Sequence, residues 1–239
     1  MCELPHSAAA PVRRLLRVLF LRFGQVPAGA AVIILLRRRY DTAALSCAYR
    51  ALPALAMTTC IALLRGVNVG RAKRVAMADL RELVEGLGHT NVRTLLNSGN
   101  VVFDAHRVNV GKIAQSVEAA ITDKFGFAVT VVVLTAADLA GVILENPLQA
   151  AATDPSKYLV AFVSSTTSLA KAKPLLAGSW TPEALAVGKR AAYVWCANGI
   201  IESKLLQAFG RATGGVATTR NWTTILKLQA AAGASRNAA

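Results

Sequence analysis

The sequence lacks the cysteine and histidine spacings on which disulfide frameworks and metal sites depend. Its 239 residues include four cysteines with no CxxC pair and three histidines with no HxxxH pair. A chain of this length does not need disulfides for stability, so we interpret the cysteines as free thiols in a reducing cytosol. The sequence therefore predicts a cytoplasmic protein with no metal site, and it implies no cofactor.

No apolar stretch near the N-terminus has the length of a membrane-spanning helix, which needs about 20 residues. The stretch Val26–Leu36 has 11 residues and is followed by three consecutive arginines. An earlier apolar run is interrupted by Arg17 and Arg22, whereas the core of a signal peptide is unbroken. We therefore predict no stable membrane span and no signal peptide.

Acidic residues are scarce, with 13 Asp and Glu against 27 Lys and Arg, and the net charge is +14. Residues 1–56 alone carry eight arginines and two acidic residues, a net charge of +6. The rest of the chain is still basic. This balance favours an anionic ligand or a polyanion as the partner.

Residues 1–56 form a basic N-terminal extension that we predict to lie outside the fold. One interpretation is a peripheral or interfacial membrane segment. The other is sequence upstream of the true start, because Met57 opens "MTTCIALLRG" and regular elements follow directly.

From Met57 onward, the hydrophobic pattern predicts an α+β fold. The first part alternates in the order β-α-β-β-α-β, which is the order of the split βαβ, ferredoxin-like unit, or α/β plait. The second part again mixes strands and helices, so we predict two ferredoxin-like halves at 57–134 and 135–239. The predicted strands are 60–64, 92–96, 101–103, 127–134, 158–163, 183–187 and 191–196, and the predicted helices are 77–87, 110–125, 135–146, 169–176, 200–209 and 221–229.

The predicted topology brings two loops to the same end of the first sheet. The loop after the first strand runs over residues 66–76, and the turn "NSGN" follows the second strand, which is parallel to the first. Arginine at a strand end, glycine turns and a helix N-terminus together suit a carboxylate or phosphate. We call this sheet end the basic edge. We predict nine anion-binding residues, of which Arg220 comes from a motif near the C-terminus. They are Arg65, Asn68, Lys73, Arg74, Asn97, Ser98, Gly99, Asn100 and Arg220.

Arg220, in the motif "TTRNW", has two interpretations. It precedes the last predicted helix, where it would hold an anion. Alternatively, it pins that helix to the sheet through a carboxylate. We interpret its neighbour Trp222 as a core residue.

The nucleotide-binding fingerprints are absent from the loop 66–76. It contains neither GxxxxGK[ST] nor GxGxxG. The strands 60–64 and 101–103 offer Phe103 as their sole aromatic residue, which disfavours base stacking of the kind seen in RNA-recognition motifs. Contacts to a nucleic-acid backbone stay compatible with the charge.

Four motifs, in order, carry a family resemblance: "IALLRGVNVG", "MADLRELVEGLG", "VRTLLNSGNVVF" and "TTRNWTTILKL". Residues 57–231 resemble the bacterial family catalogued as domain of unknown function 1697. The resemblance implies two ferredoxin-like parts and no established activity. The loop "GRAKRVA" departs from the Gly/Lys-rich stretch usual in the family, and Thr223 stands where Asn is common.

Three functions remain open at this point. The first is binding of a phosphorylated metabolite or a nucleic-acid backbone at the basic edge. The second is a small enzyme acting on an anionic substrate, although the sequence identifies no general base or nucleophile beyond the turn residue Ser98. The third is a protein-interaction module.

Overall fold

The computed structural model describes residues 57–234 apart from Arg71, Arg107 and Ser165. The predictions made for residues 1–56 lie outside this part of the chain. Within it, no helix combines the length and apolar character that crossing a membrane requires.

The first sheet has four strands, all antiparallel to their neighbours, in the order Thr90–Leu95, Asn100–Ala105, Thr58–Leu64 and Val131–Thr135. Apolar residues that recur every three or four positions give the two helices between these strands one buried face each. Asn109 caps the second helix by accepting a hydrogen bond from the Lys112 N–H. The elements are β1 (Thr58–Leu64), α1 (Met77–Gly86), β2 (Thr90–Leu95), β3 (Asn100–Ala105), α2 (Val110–Phe125) and β4 (Val131–Thr135).

The second sheet repeats the arrangement, with four antiparallel strands in the order Ala184–Val187, Ala191–Trp195, Tyr158–Phe162 and Thr218–Asn221. It is reached through the helix Ala136–Leu144, which begins with a capping box formed by Thr135 and Asp138. The elements are α3 (Ala136–Leu144), β5 (Tyr158–Phe162), α4 (Thr166–Ala170), a 3₁₀ helix (Lys173–Ala177), β6 (Ala184–Val187), β7 (Ala191–Trp195), α5 (Lys204–Ala212), β8 (Thr218–Asn221) and α6 (Trp222–Ala234). The chain is therefore a mixed α+β protein with two four-stranded antiparallel sheets.

The central core lies between the two sheets, which belong to one compact unit. Ile61 and Leu63 of β1 pack in the same cluster as Val160 of β5 and Tyr193 of β7, with Ile225 of α6 beside them. The alternate residues of β1 face a separate cluster built with α1 and α2. Both faces of β1 are thus buried, which explains why its sequence is apolar throughout rather than alternating.

The prediction for the second part has one helix wrong and lacks one strand. The helix predicted over 169–176 is split into α4 and the 3₁₀ helix, because Pro174 cannot donate an amide hydrogen bond inside a helix. The helix predicted from 221 is preceded by strand β8, which the prediction did not contain. Its residues Thr218–Asn221 pair with Leu159–Phe162 of β5.

Candidate functional site

The loop between β1 and α1 is closed by the side chain of Asn68. Its Oδ1 accepts a hydrogen bond from the Val75 N–H at 2.9 Å, and its Nδ2 donates to the Val75 carbonyl at 2.8 Å. The same Nδ2 donates to the carbonyl oxygen of Asn97, also at 2.8 Å. The backbone φ of Asn68 is +57°, in a region that asparagine tolerates better than most residues. This side chain therefore joins the loop to the 97–100 turn.

The 97–100 turn lies directly against the end of β1. The Gly99 carbonyl accepts a hydrogen bond from the Leu64 N–H at 2.8 Å. A Cβ atom added to Gly99 would lie 2.7 Å from the Cβ of Leu64 and 2.6 Å from a methyl carbon of Val67, and its φ is +71°. The turn thus needs glycine at this position for space and for backbone conformation. The loop and the turn meet at one sheet end, as the topology predicted.

Arg220, on β8, is buried against this turn with 9% of its surface exposed. Its Nε donates to Asn100 Oδ1 at 2.5 Å, and its Nη2 donates to the carbonyls of Leu64 at 2.8 Å and Ser98 at 3.0 Å. Weaker or local contacts run to the carbonyls of Gly99 and Thr219. All five acceptors are amide or carbonyl oxygens, whereas the sequence suggested a carboxylate or an anion.

Burial lowers the pKa of Arg220 to about 10, so the guanidinium keeps its charge at neutral pH. Asn100 is fully buried beside it and completes the network. Its Nδ2 donates to the Leu95 carbonyl and to Ser98 Oγ, each at 2.9 Å. Arg220 and Asn100 therefore tie the second sheet to the turn of the first sheet.

Three cationic side chains of the basic edge are exposed: Arg65, Lys73 and Arg74. Lys73 Nζ donates to the Ala128 carbonyl at 3.0 Å, and the φ of Lys73 is +51°. None of the ion pairs found among the described residues includes any of the three. Their charge thus faces solvent without a nearby carboxylate partner in the described part of the chain.

The structure therefore brings the nine predicted residues to one place but gives them different surroundings. The side chains of Asn68, Asn100 and Arg220 are engaged in internal hydrogen bonds. An anion-binding role for any of the nine stays a prediction.

Sequence reasoning missed one neighbour of the site. A Cβ added to Gly215 would lie 3.7 Å from Arg65 Nη2, which places the segment before β8 next to this arginine. The adjacent glycines Gly214 and Gly215 were the sequence signal for this neighbour, since a glycine pair after a helix indicates a tight turn. Both have a positive φ in the structure.

Two surface cavities of the second sheet lie away from the basic edge. One, of about 370 Å³, lies between the 3₁₀ helix and β6. The other, of about 610 Å³, lies between the end of α3, α4 and the β6–β7 hairpin. None of the nine predicted residues lines either cavity. The basic edge is consequently not part of these two cavities.

Cys60 and Cys196 are free, as predicted, and both are fully buried. Burial raises the pKa of Cys60 to about 11 and also raises the pKa of Cys196. Because the thiolate is the nucleophile, we expect neither residue to react with iodoacetamide at pH 8 until the protein is unfolded. Mass spectrometry of the two tryptic peptides, with and without denaturant, measures this. Modification of either thiol in the native protein would contradict the prediction.

The fold and site define a twin-sheet α+β protein with a basic sheet end. The family described as "Protein of unknown function (DUF1697)" matches residues 57–193, and the chain belongs to that family. The matched stretch covers three of the four motifs and ends before β8. No curated protein matches the chain.

One solved structure similar to this chain is that of a conserved bacterial protein from Streptococcus pneumoniae. The TM-score is 0.58 at 21% sequence identity, and the similarity covers 74% of this chain and 99% of the other. At this identity the likeness concerns the fold alone.

Proposed function

We propose that this protein binds the phosphate groups of an anionic ligand at the basic edge, through Arg65, Lys73 and Arg74. The observation that carries the proposal is the exposure of these three cations between β1 and α1, outside every ion pair found among the described residues. Exposed cations without a carboxylate partner keep their charge available for a polyanion. The positive φ of Lys73 adds support, because strained backbone concentrates at functional sites.

The exposure of the three cations favours an extended ligand over an enclosed one. Small-molecule sites are concave and bury most of their ligand, whereas the Arg65, Lys73 and Arg74 side chains are exposed. A nucleic-acid backbone presents phosphates in a row and needs no pocket. We therefore place the nucleic-acid backbone ahead of the phosphorylated metabolite.

We also propose that each sheet and its helices form a ferredoxin-like unit, the first over 57–134 and the second over 135–239. The strand orders β2-β3-β1-β4 and β6-β7-β5-β8 support this.

We further propose that the protein is cytoplasmic. The free, buried thiols of Cys60 and Cys196 support this location.

Replacing Arg65, Lys73 and Arg74 together by alanine is expected to weaken binding of a fluorescent single-stranded oligonucleotide. The slope of log affinity against log salt is negative, and each lost phosphate contact reduces its magnitude by about 0.7 for single strands. The magnitude should therefore decrease by about 2 in the triple variant. Fluorescence anisotropy of the full chain from about 50 to 200 mM salt measures both quantities.

The control is Lys112→Ala, which also removes a positive charge. Lys112 is exposed in the first turn of α2, at the sheet end opposite the basic edge, because Thr58 pairs with Ala105 at that end. All variants carry the same residues 1–56, so differences between them report the edge. An equal slope in the triple variant and in the control would contradict the proposal for nucleic acid.

A thermal-shift series with inorganic phosphate and phosphorylated sugars tests whether the ligand is instead a phosphorylated metabolite. A ligand present at 100 times its Kd stabilises the native state by about 2.7 kcal/mol. A shift seen in wild type and lost in Arg65→Ala, without oligonucleotide binding, would assign a small phosphorylated ligand. Absence of both oligonucleotide binding and thermal shift would refute the proposed function.

A further inference from the structure

The second sheet reaches the basic edge at two points. Arg220 of β8 contacts the end of β1 and the 97–100 turn, and Gly215, just before β8, lies beside the Arg65 guanidinium. Both contacts belong to the same segment of the chain, residues 215–220. The surroundings of Arg65 therefore depend on the second sheet as well as on the first.

Arg220 holds the backbone on both sides of the site. Its Nη2 binds the carbonyl of Leu64, the residue directly before Arg65, and the carbonyl of Ser98 in the turn. The two backbone segments are also bonded to each other, from the Leu64 N–H to the Gly99 carbonyl. A planar guanidinium with donors in a fixed fork defines the relative position of its acceptors more closely than a single ammonium does.

We infer that Arg220 is a positioning residue for the basic edge, which fixes the end of β1 so that the Arg65 guanidinium is presented beside Gly215. The inference rests on the proposed function. Arg220 acts through Arg65 and does not contact the ligand, because its side chain is buried and bonded to five protein oxygens. The first sheet then supplies the phosphate-binding arginine, and the second sheet fixes its position.

Arg220→Lys separates this positioning role from direct attraction of the anion. The variant keeps a positive charge on β8 but has one ammonium group, which cannot reproduce the fork to Asn100 and Leu64. Direct attraction would leave oligonucleotide affinity close to that of wild type. Positioning predicts an affinity loss of about five- to tenfold at about 50–100 mM salt, similar to that of Arg65→Ala, because either variant costs one phosphate contact with a salt slope of about 0.7.

A double-mutant cycle provides the decisive test. Oligonucleotide affinity is measured by anisotropy for wild type, Arg65→Ala, Arg220→Lys and the double variant, each first shown to be folded by circular dichroism. If Arg220 acts through Arg65, the double variant binds as Arg65→Ala does. Multiplied losses in the double variant would overturn the inference, because a general loss of structure would add to the loss of Arg65. Asn100→Ala, which removes the acceptor of Arg220 Nε, replaces Arg220→Lys in the cycle if that variant does not fold.

The outcomes separate the inference from the proposed function. If Arg65→Ala binds oligonucleotide and phosphate as wild type does, the contribution of Arg65 to the proposed function fails, and the inference fails with it. If Arg65→Ala weakens binding while Arg220→Lys does not, the proposed function stands and the inference is wrong.

Discussion

Replacing Arg220 by methionine is expected to lower the free energy of unfolding by about 3 kcal/mol. Methionine has similar length but no donor, so the buried oxygens of Asn100, Leu64 and Ser98 lose their partner. An unsatisfied buried polar group costs about 1–3 kcal/mol. Removal of the buried charge offsets part of this sum. For a chain of this size, the midpoint of thermal unfolding should fall by about 6–12 °C.

Arg190→Met is the matched control for this measurement. Arg190 is exposed and pairs with Asp138, and exposed ion pairs contribute about 0–1 kcal/mol. Both variants exchange an arginine for a methionine, so their difference isolates the buried network. Equal melting temperatures for the two variants would show that the Arg220 contacts do not stabilise the fold.

Gly99→Ala is expected to destabilise the protein by about 2–5 kcal/mol. The new methyl group would approach the side chains of Leu64 and Val67 at 2.7 and 2.6 Å, and both neighbours are buried. Overpacking costs about 1–3 kcal/mol, and the left-handed backbone adds about 1–2 kcal/mol for any residue with a Cβ. Chemical denaturation followed by circular dichroism measures the change.

Gly126→Ala separates the cost of overpacking from the cost of the left-handed backbone. Gly126 ends α2 with a φ of +76°, close to that of Gly99, but a Cβ there meets nothing within 4 Å. We therefore expect the backbone cost alone, about 1–2 kcal/mol. If Gly126→Ala is as destabilising as Gly99→Ala, close packing of the turn against β1 does not contribute.

The meeting of the loop with the 97–100 turn was predictable because it follows from topology. The apolar run Cys60–Leu64 and the helical spacing after Met77 identify β1 and α1, and antiparallel pairing then sets which ends coincide. The side-chain contacts that join the two loops were not predictable. Asn68 bonds to backbone groups of Val75 and Asn97, and backbone acceptors leave no trace in the amino-acid sequence.

Strand β8 shows a second limit of sequence reasoning. Its residues Thr218–Asn221 are all polar, yet Thr218 and Arg220 are buried while Thr219 and Asn221 are less so. Burial alternates along β8 with the period of two that is typical of a strand, but no apolar residues mark this alternation in the sequence. Asn221 caps α6, since its Oδ1 accepts hydrogen bonds from the Thr224 N–H and hydroxyl at the start of that helix.

The bond between Arg220 and Leu64 spans 156 residues, which sets an order of events during synthesis of the chain. β1 leaves the ribosome long before the arginine that anchors its end exists. At about 5–20 residues per second, the interval is roughly 8–30 s. Until residue 220 is made, the Leu64 and Ser98 carbonyls have no Arg220 donor, because the strand β8 that carries it does not yet exist. The basic edge thus cannot acquire its final form before the second sheet has been synthesised.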